Sequence, residues 1–224
     1  AKYEFNSKKN GVDFRYYANR WRLEPADEAA YRAGQLVDVK KPIVFYVDNA
    51  FPEGWKKYIK QGVEEWQKAF EKIGLKNAII ARGFPKDDPE FDPENLKYSC
   101  VRYSPSWTAN AMGPSWTDPR TGEIINASVY FYHNIAQLIQ NWRFVQTAQT
   151  DADVRRMQLP EDLLGESIRY AIAHEVGHCL GFMHNMSASA AIPTDSLRSP
   201  SYTQKYGTTH SIMDYARNNY VAQP

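Results

Sequence analysis

Three histidines and a glutamate within one short stretch could do chemistry: His174-Glu175-Val176-Gly177-His178-Cys179-Leu180-Gly181-Phe182-Met183-His184-Asn185. His174 and His178 are four residues apart, so on a helix their imidazoles leave one face about a turn apart, the spacing that lets both hold one zinc ion. Glu175 sits about 100° round the helix from His174 and can lean towards the same metal. Catalytic zinc takes three protein ligands and keeps a fourth position for water. His184 is the nearest third donor. Gly181 can adopt the left-handed conformation that ends the helix, after which the chain can swing back and bring His184 to the metal. These residues imply one catalytic Zn²⁺ held by His174, His178 and His184, with the Glu175 carboxylate beside its water as general base.

The elements that must position this stretch can be read from the flanking pattern. Pro160 suits the start of a helix, and Glu161 and Asp162 suit its positive end. From Tyr170 to Leu180 the segment is apolar nearly all round except for His174, Glu175 and His178, so it must be buried, and its ionisable groups need partners that a metal would supply. Upstream, Pro42–Val47 reads as a buried strand, followed by one long helix with Trp55, Tyr58, Ile59, Gly62, Val63, Trp66, Ala69, Phe70 and Ile73 on its core face and Gly74 as its stop. Further strands are expected at 78–81, 99–103 and 124–132, and a helix from His133 to about Ala148. Residues 1–40 read as an extended arm or strand. Residues 187–206 read as loop.

The extended motif HExxHxxGxxH, taken with Ser211-Ile212-Met213-Asp214-Tyr215, resembles the metzincin zinc endopeptidases, whose signature is that motif followed by a methionine-containing turn. More narrowly, HExGHxLGxxHN and SIMDY resemble the catalytic domain of a bacterial family of large exported metzincin-like proteases. The resemblance implies an α+β fold with two lobes: an arm at 1–40, an upper lobe at 41–185 with a mixed twisted sheet, two or three long helices and the zinc helix, and a small irregular lower lobe at 186–224. It implies Met213 as an apolar floor beneath the histidines and Tyr215 as a residue that can ligate zinc and swing to the tetrahedral intermediate. It also makes the small-residue segment around Ala111, Met112 and Gly113 an antiparallel edge strand that binds an extended peptide. Only 11 residues follow Met213, which implies a piece of a longer polypeptide. A secreted, periplasmic or cell-surface location is implied by the resemblance alone.

Composition sets wider bounds. The 224 residues are enough for one domain or two lobes around a cleft, and 27 basic against 26 acidic residues leave a net charge of +1, which favours neither nucleic acid nor an anionic membrane as partner. No apolar run approaches the ~20 residues of a membrane span. Cys100 and Cys179 read as small buried hydrophobes, with a bridge between them as the lesser alternative. His133 and His210 read as structural or exposed. The expected function is hydrolysis of peptide or protein substrates. The alternatives are a catalytically silent binding domain, against which an intact Glu175 argues, and a narrow amidase or exopeptidase.

Overall fold

The computed structural model describes residues 2–223; Ala1 and Pro224, which end the first and last of the expected stretches, lie outside them. The chain opens with a hairpin of β1 (Lys2–Glu4) and β2 (Asp13–Arg15), then α1 (Glu28–Arg32) and β3 (Val37–Asp38). There follow β4 (Ile43–Val47), α2 (Glu53–Glu64), α3 (Gln67–Lys72), β5 (Leu75–Lys76) and β6 (Ile79–Gly83). Next come β7 (Ser99–Ser104), β8 (Ala111–Met112), β9 (Ser115–Thr117), β10 (Ile124–Tyr132) and α4 (Ile135–Thr147). A short 3₁₀ turn at Asp153–Arg155 leads to α5 (Glu161–Cys179), and three short helices follow: α6 (Ser187–Ala190), α7 (Thr194–Leu197) and α8 (Pro200–Tyr206).

The main sheet has the order β6-β4-β7-β10-β8, with β9 also paired to β10. Strands β6, β4, β7 and β10 are mutually parallel, while β8 and β9 run antiparallel to β10. The result is a mixed α+β architecture of the metzincin-like kind. Ile43, Phe45 and Val47 of β4 are buried in one core with Ile59 and Val63 of α2 and Ile168, Ile172 and Val176 of α5. The alternate residue Tyr46 turns to the other side of the sheet, where Phe91 and Tyr98 pack on it with ring centroids 5.2 and 5.6 Å away. The burial follows the two-residue period of a strand.

Three local expectations differ from the structure. The single helix read across Trp55 to Ile73 is two, α2 and α3, broken at Glu65–Trp66. Trp66 donates its indole N–H to the Ala173 carbonyl of α5 at 2.8 Å and stacks on Phe182. Beyond the break Phe70 still packs against the core, but Ala69 and Ile73 of the same stripe are exposed. The stretch 187–206 is mostly helical, because Ser199 caps α8 and Pro193 and Pro200 sit where a helix starts. The N-terminal arm is a hairpin plus a short helix, and its continuation is tied to the sheet through Arg20 N to Gly122 O at 3.0 Å and Ile124 N to Arg20 O at 2.8 Å. Trp21 from this segment donates to the Cys179 carbonyl at 3.0 Å, which satisfies an orphan acceptor at the end of α5. Cys100 and Cys179 are both buried and unbridged.

Candidate metal centre

Helix α5 carries His174 and His178 on one face, and its end is set by Gly181, which has φ +97°. A side chain at Gly181 would also meet the Asn19 carbonyl at 2.4 Å, so the turn that brings His184 back requires glycine on two grounds. The donor atoms of His174, His178 and His184 all lie within 4.8 Å of one another.

The tautomers are fixed by backbone carbonyls, which can only accept. His174 donates Nδ1–H to Ile212 O at 2.7 Å, and His178 donates Nδ1–H to Phe182 O at 2.9 Å. Each therefore presents an Nε2 lone pair to the centre, the arrangement that outer-sphere carbonyls impose on metal-ligating histidines. The Nε2 atoms of His178 and His184 are 3.1 Å apart. Two nitrogens at ordinary Zn–N distances on a tetrahedron stand about 3.3 Å apart. His174 Nε2 is the one buried side-chain nitrogen or oxygen without a hydrogen-bond partner among the described residues. A buried imidazole with an orphaned lone pair facing two others is costly unless a cation takes it. Burial holds His174 and His184 below the ordinary imidazole range, with the neighbouring histidines adding to the effect. Neutral imidazoles are the form that binds metal. On these grounds the residues present fit a zinc ion.

Glu175 lies next to the triad. Burial pushes its carboxyl up to about 7, against the opposing effect of the Gly113 amide facing it. Gly113 follows β8, and a Cβ there would stand 2.2 Å from the Glu175 backbone oxygen and 3.1 Å from Cys179 Sγ, so the strand runs hard against the zinc helix. β8 is the edge of the main sheet, with Met112 opposite Tyr130 and Ala111 opposite Phe131. Ala111 is buried and the Met112 side chain is exposed.

The turn at Met213 lies under the site. Asp214 N–H donates to Ser211 O at 3.2 Å to close it, and Met213 N–H donates to the Ser211 hydroxyl oxygen at 3.1 Å. Three successive carbonyls then reach α5 and the loop after the third histidine: Ile212 O to His174, Met213 O to Asn185 N at 2.9 Å, and Asp214 O to the Tyr170 hydroxyl at 3.1 Å. The buried Asp214 carboxylate accepts from Ser189 N at 2.6 Å, fastening the loop that follows the third histidine. Tyr215, half exposed, has its ring centroid 4.5 Å from that of His184 and 5.4 Å from that of His174. His133 stands apart from the centre, stacked on Trp55 and bonded to the Tyr103 hydroxyl at 2.7 Å, and His210 is exposed.

A pocket of about 420 Å³ opens beside His174, Glu175 and Tyr215. Its lining includes Arg143 and Arg217, which no motif in the sequence marks and which lie far apart in the chain. Only the fold brings them to one wall.

An extended HExxH helix, a third histidine beyond a left-handed glycine and a methionine turn beneath them are features that this chain shares with the metzincin class. A family model described as Met-zincin matches residues 156–224, which hold α5, the three histidines and the Met213 turn and make up less than half of the chain. Over that segment the chain is similar to the Met-zincin family. No curated protein and no solved structure matches the chain.

Proposed function

We propose that this protein is a zinc-dependent endopeptidase acting on extended peptide segments. The observation that carries the proposal is the buried, partnerless Nε2 of His174 facing two further imidazoles, with Glu175 lining the same pocket as His174 and β8 at the edge of the sheet beside it. His174, His178 and His184 would hold the ion. When bound, zinc supplies a Lewis acid and brings the pKa of its water down to around 7.

Glu175 takes the proton of the attacking water and delivers it to the leaving amine. A cation beside the carboxylate lowers its pKa, which offsets the effect of burial and keeps the base ionised at neutral pH. The cleft-facing edge of β8, through Ala111, Met112 and Gly113, pairs with the substrate backbone and holds the scissile bond in register. Met213 takes no chemical step; it supports the histidines from below. Tyr215 donates its hydroxyl to the oxygen on which charge develops. Removing one such donor typically costs on the order of 10²-fold in kcat. Tyr215→Phe is expected to lower kcat by that order with little change in KM and no loss of bound zinc; unchanged turnover would refute the assignment. Work outside the cytoplasm, in the periplasm, on the cell surface or in the medium, belongs to the same reading and is supported by the resemblance alone.

The direct experiment measures zinc content and hydrolysis of a broad peptide library, before and after removal of metal with a chelator and after its return. One zinc per chain, with cleavage within peptides that is lost on chelation and restored by zinc, is the expected result. Bound zinc with no cleavage of any peptide would overturn the proposal and favour a binding domain.

A further inference from the structure

The pocket beside the metal centre is apolar along Ile135, Leu138, Ile139 and Trp142 of α4, yet two guanidinium groups also line it. Arg143 is partly buried. It donates Nε–H to Ser167 Oγ at 2.8 Å, and Ser167 in turn donates to Leu163 O at 2.8 Å, so the base of the guanidinium is held in place. No carboxylate lies within ion-pair distance of Arg143 among the described residues. The one other acid on the pocket wall, Glu166, pairs with Arg169 at 2.8 Å. Arg217 is also without an ion pair among the described residues; its guanidinium carbon lies 3.5 Å from the centroid of the Trp142 ring and 5.4 Å from that of Tyr215. Arg217 has φ +49°, a left-handed backbone uncommon for a residue with a side chain, and it occurs here at the pocket wall. Burial lowers the pKa of Arg143 from its ordinary value, while Asp151 and Glu166 oppose the shift from a distance, so the fork is desolvated without a close counter-ion. A desolvated guanidinium with its outer nitrogens free matches a carboxylate in shape and charge.

The orientation of β8 says which part of a substrate enters. The pocket is lined by Ala109, Asn110 and Ala111, the N-terminal side of the strand, whereas Gly113 lies against Glu175. A peptide paired antiparallel to β8 therefore runs with its C-terminal half past this pocket. We propose that the pocket takes the side chain that follows the cut and selects an acidic one, with Arg143 binding its carboxylate and the apolar wall of α4 covering its methylene groups. The inference rests on the endopeptidase reading for its position, but its chemistry belongs to the pocket itself.

The test uses matched peptides with Glu, Gln or Phe after the cleavable bond. Two readouts are needed: kcat/KM for the wild type, and calorimetric binding to zinc-loaded Glu175→Ala protein, which requires no turnover. Glu is expected to exceed its isostere Gln on the order of tenfold in both, as a charge-assisted hydrogen bond in a partly dry site should. Arg143→Gln should bring the Glu:Gln ratio close to unity, and Arg143→Lys should keep part of it. If Arg143→Gln does not fold, Arg217→Gln is expected to reduce the same ratio by a smaller factor. Cleavage with Gln or Phe equal to or above Glu would overturn the pocket assignment and leave the peptidase reading intact. Binding that favours Glu without cleavage of any peptide would do the reverse.

Discussion

Glu175→Gln is expected to abolish peptide hydrolysis, lowering kcat/KM by 10²- to 10⁴-fold or more, while leaving one zinc bound per chain. The range is that of a positioned general base. Glutamine keeps the volume and one acceptor oxygen, so the Gly113 amide still has a partner, but it cannot take the proton of the attacking water. None of the three imidazoles is altered, and His174 and His178 keep their carbonyl partners at Ile212 and Phe182. Metal content and activity should therefore separate, which a folding defect would not produce. The metal-free protein supplies a second readout. Because burial raises the Glu175 carboxyl to about 7, above its value in the unfolded chain, its contribution to stability is full at pH 4 and is lost as pH rises through 7. The loss corresponds to roughly 3 kcal/mol at most. Burial also lowers His174 and His184, whose contribution runs the opposite way over the same range, so the decline is read as the difference in urea stability between chelated wild type and Glu175→Gln, which should fall between about pH 4.5 and 7. A glutamine variant that keeps a tenth of wild-type activity would remove Glu175 from the mechanism.

What could be read from the residues and what could not divides by the range of the interactions involved. The donor set was legible because it is local: one helical turn separates His174 from His178, and a left-handed glycine returns the chain to His184. The strands were legible because a two-residue alternation or a short β-branched run carries its own signal, as in Ile43–Val47. The break between α2 and α3 was not. Trp55 to Ile73 keeps helical spacing throughout, and at the break Trp66 is bonded to Ala173, a partner 107 residues away that no local pattern announces. The α6–α8 stretch misled for a different reason. Its Ser, Ala and Pro composition suits loops, but the same residues cap and start short helices once Asp214 anchors Ser189. Arg143 and Arg217 carry no local signal at all, since an arginine on α4 and one just past the Met213 turn meet only through tertiary packing.

Gly177→Ala is expected to weaken zinc binding by about 10- to 100-fold, the usual effect of disturbing a residue that orients a ligand. Gly177 lies between the two helical histidines, two residues before the end of α5, and sequence pattern alone gives no reason for glycine within the helix, where alanine should gain as much as ~1 kcal/mol in helix propensity. Packing supplies the reason. A Cβ at this position would stand 2.2 Å from Met213 Sδ and 2.8 Å from the Trp66 ring. Trp66 cannot yield easily, because its indole is bonded to Ala173 and stacked on Phe182. Met213 must therefore move, although it is buried in the turn whose neighbouring Ile212 carbonyl fixes the His174 tautomer. Overpacking of this kind costs about 1–3 kcal/mol, which outweighs the propensity gain. Met213→Ala removes the obstructing sulfur, so the double substitution Gly177→Ala with Met213→Ala should be less damaging than the sum of the two single changes. Competition with a chromophoric zinc chelator, run on all four proteins of the cycle, reads the coupling directly. Strictly additive losses, or a Gly177→Ala protein that binds zinc as the wild type does, would mean that the methionine turn does not position the metal ligands through this contact.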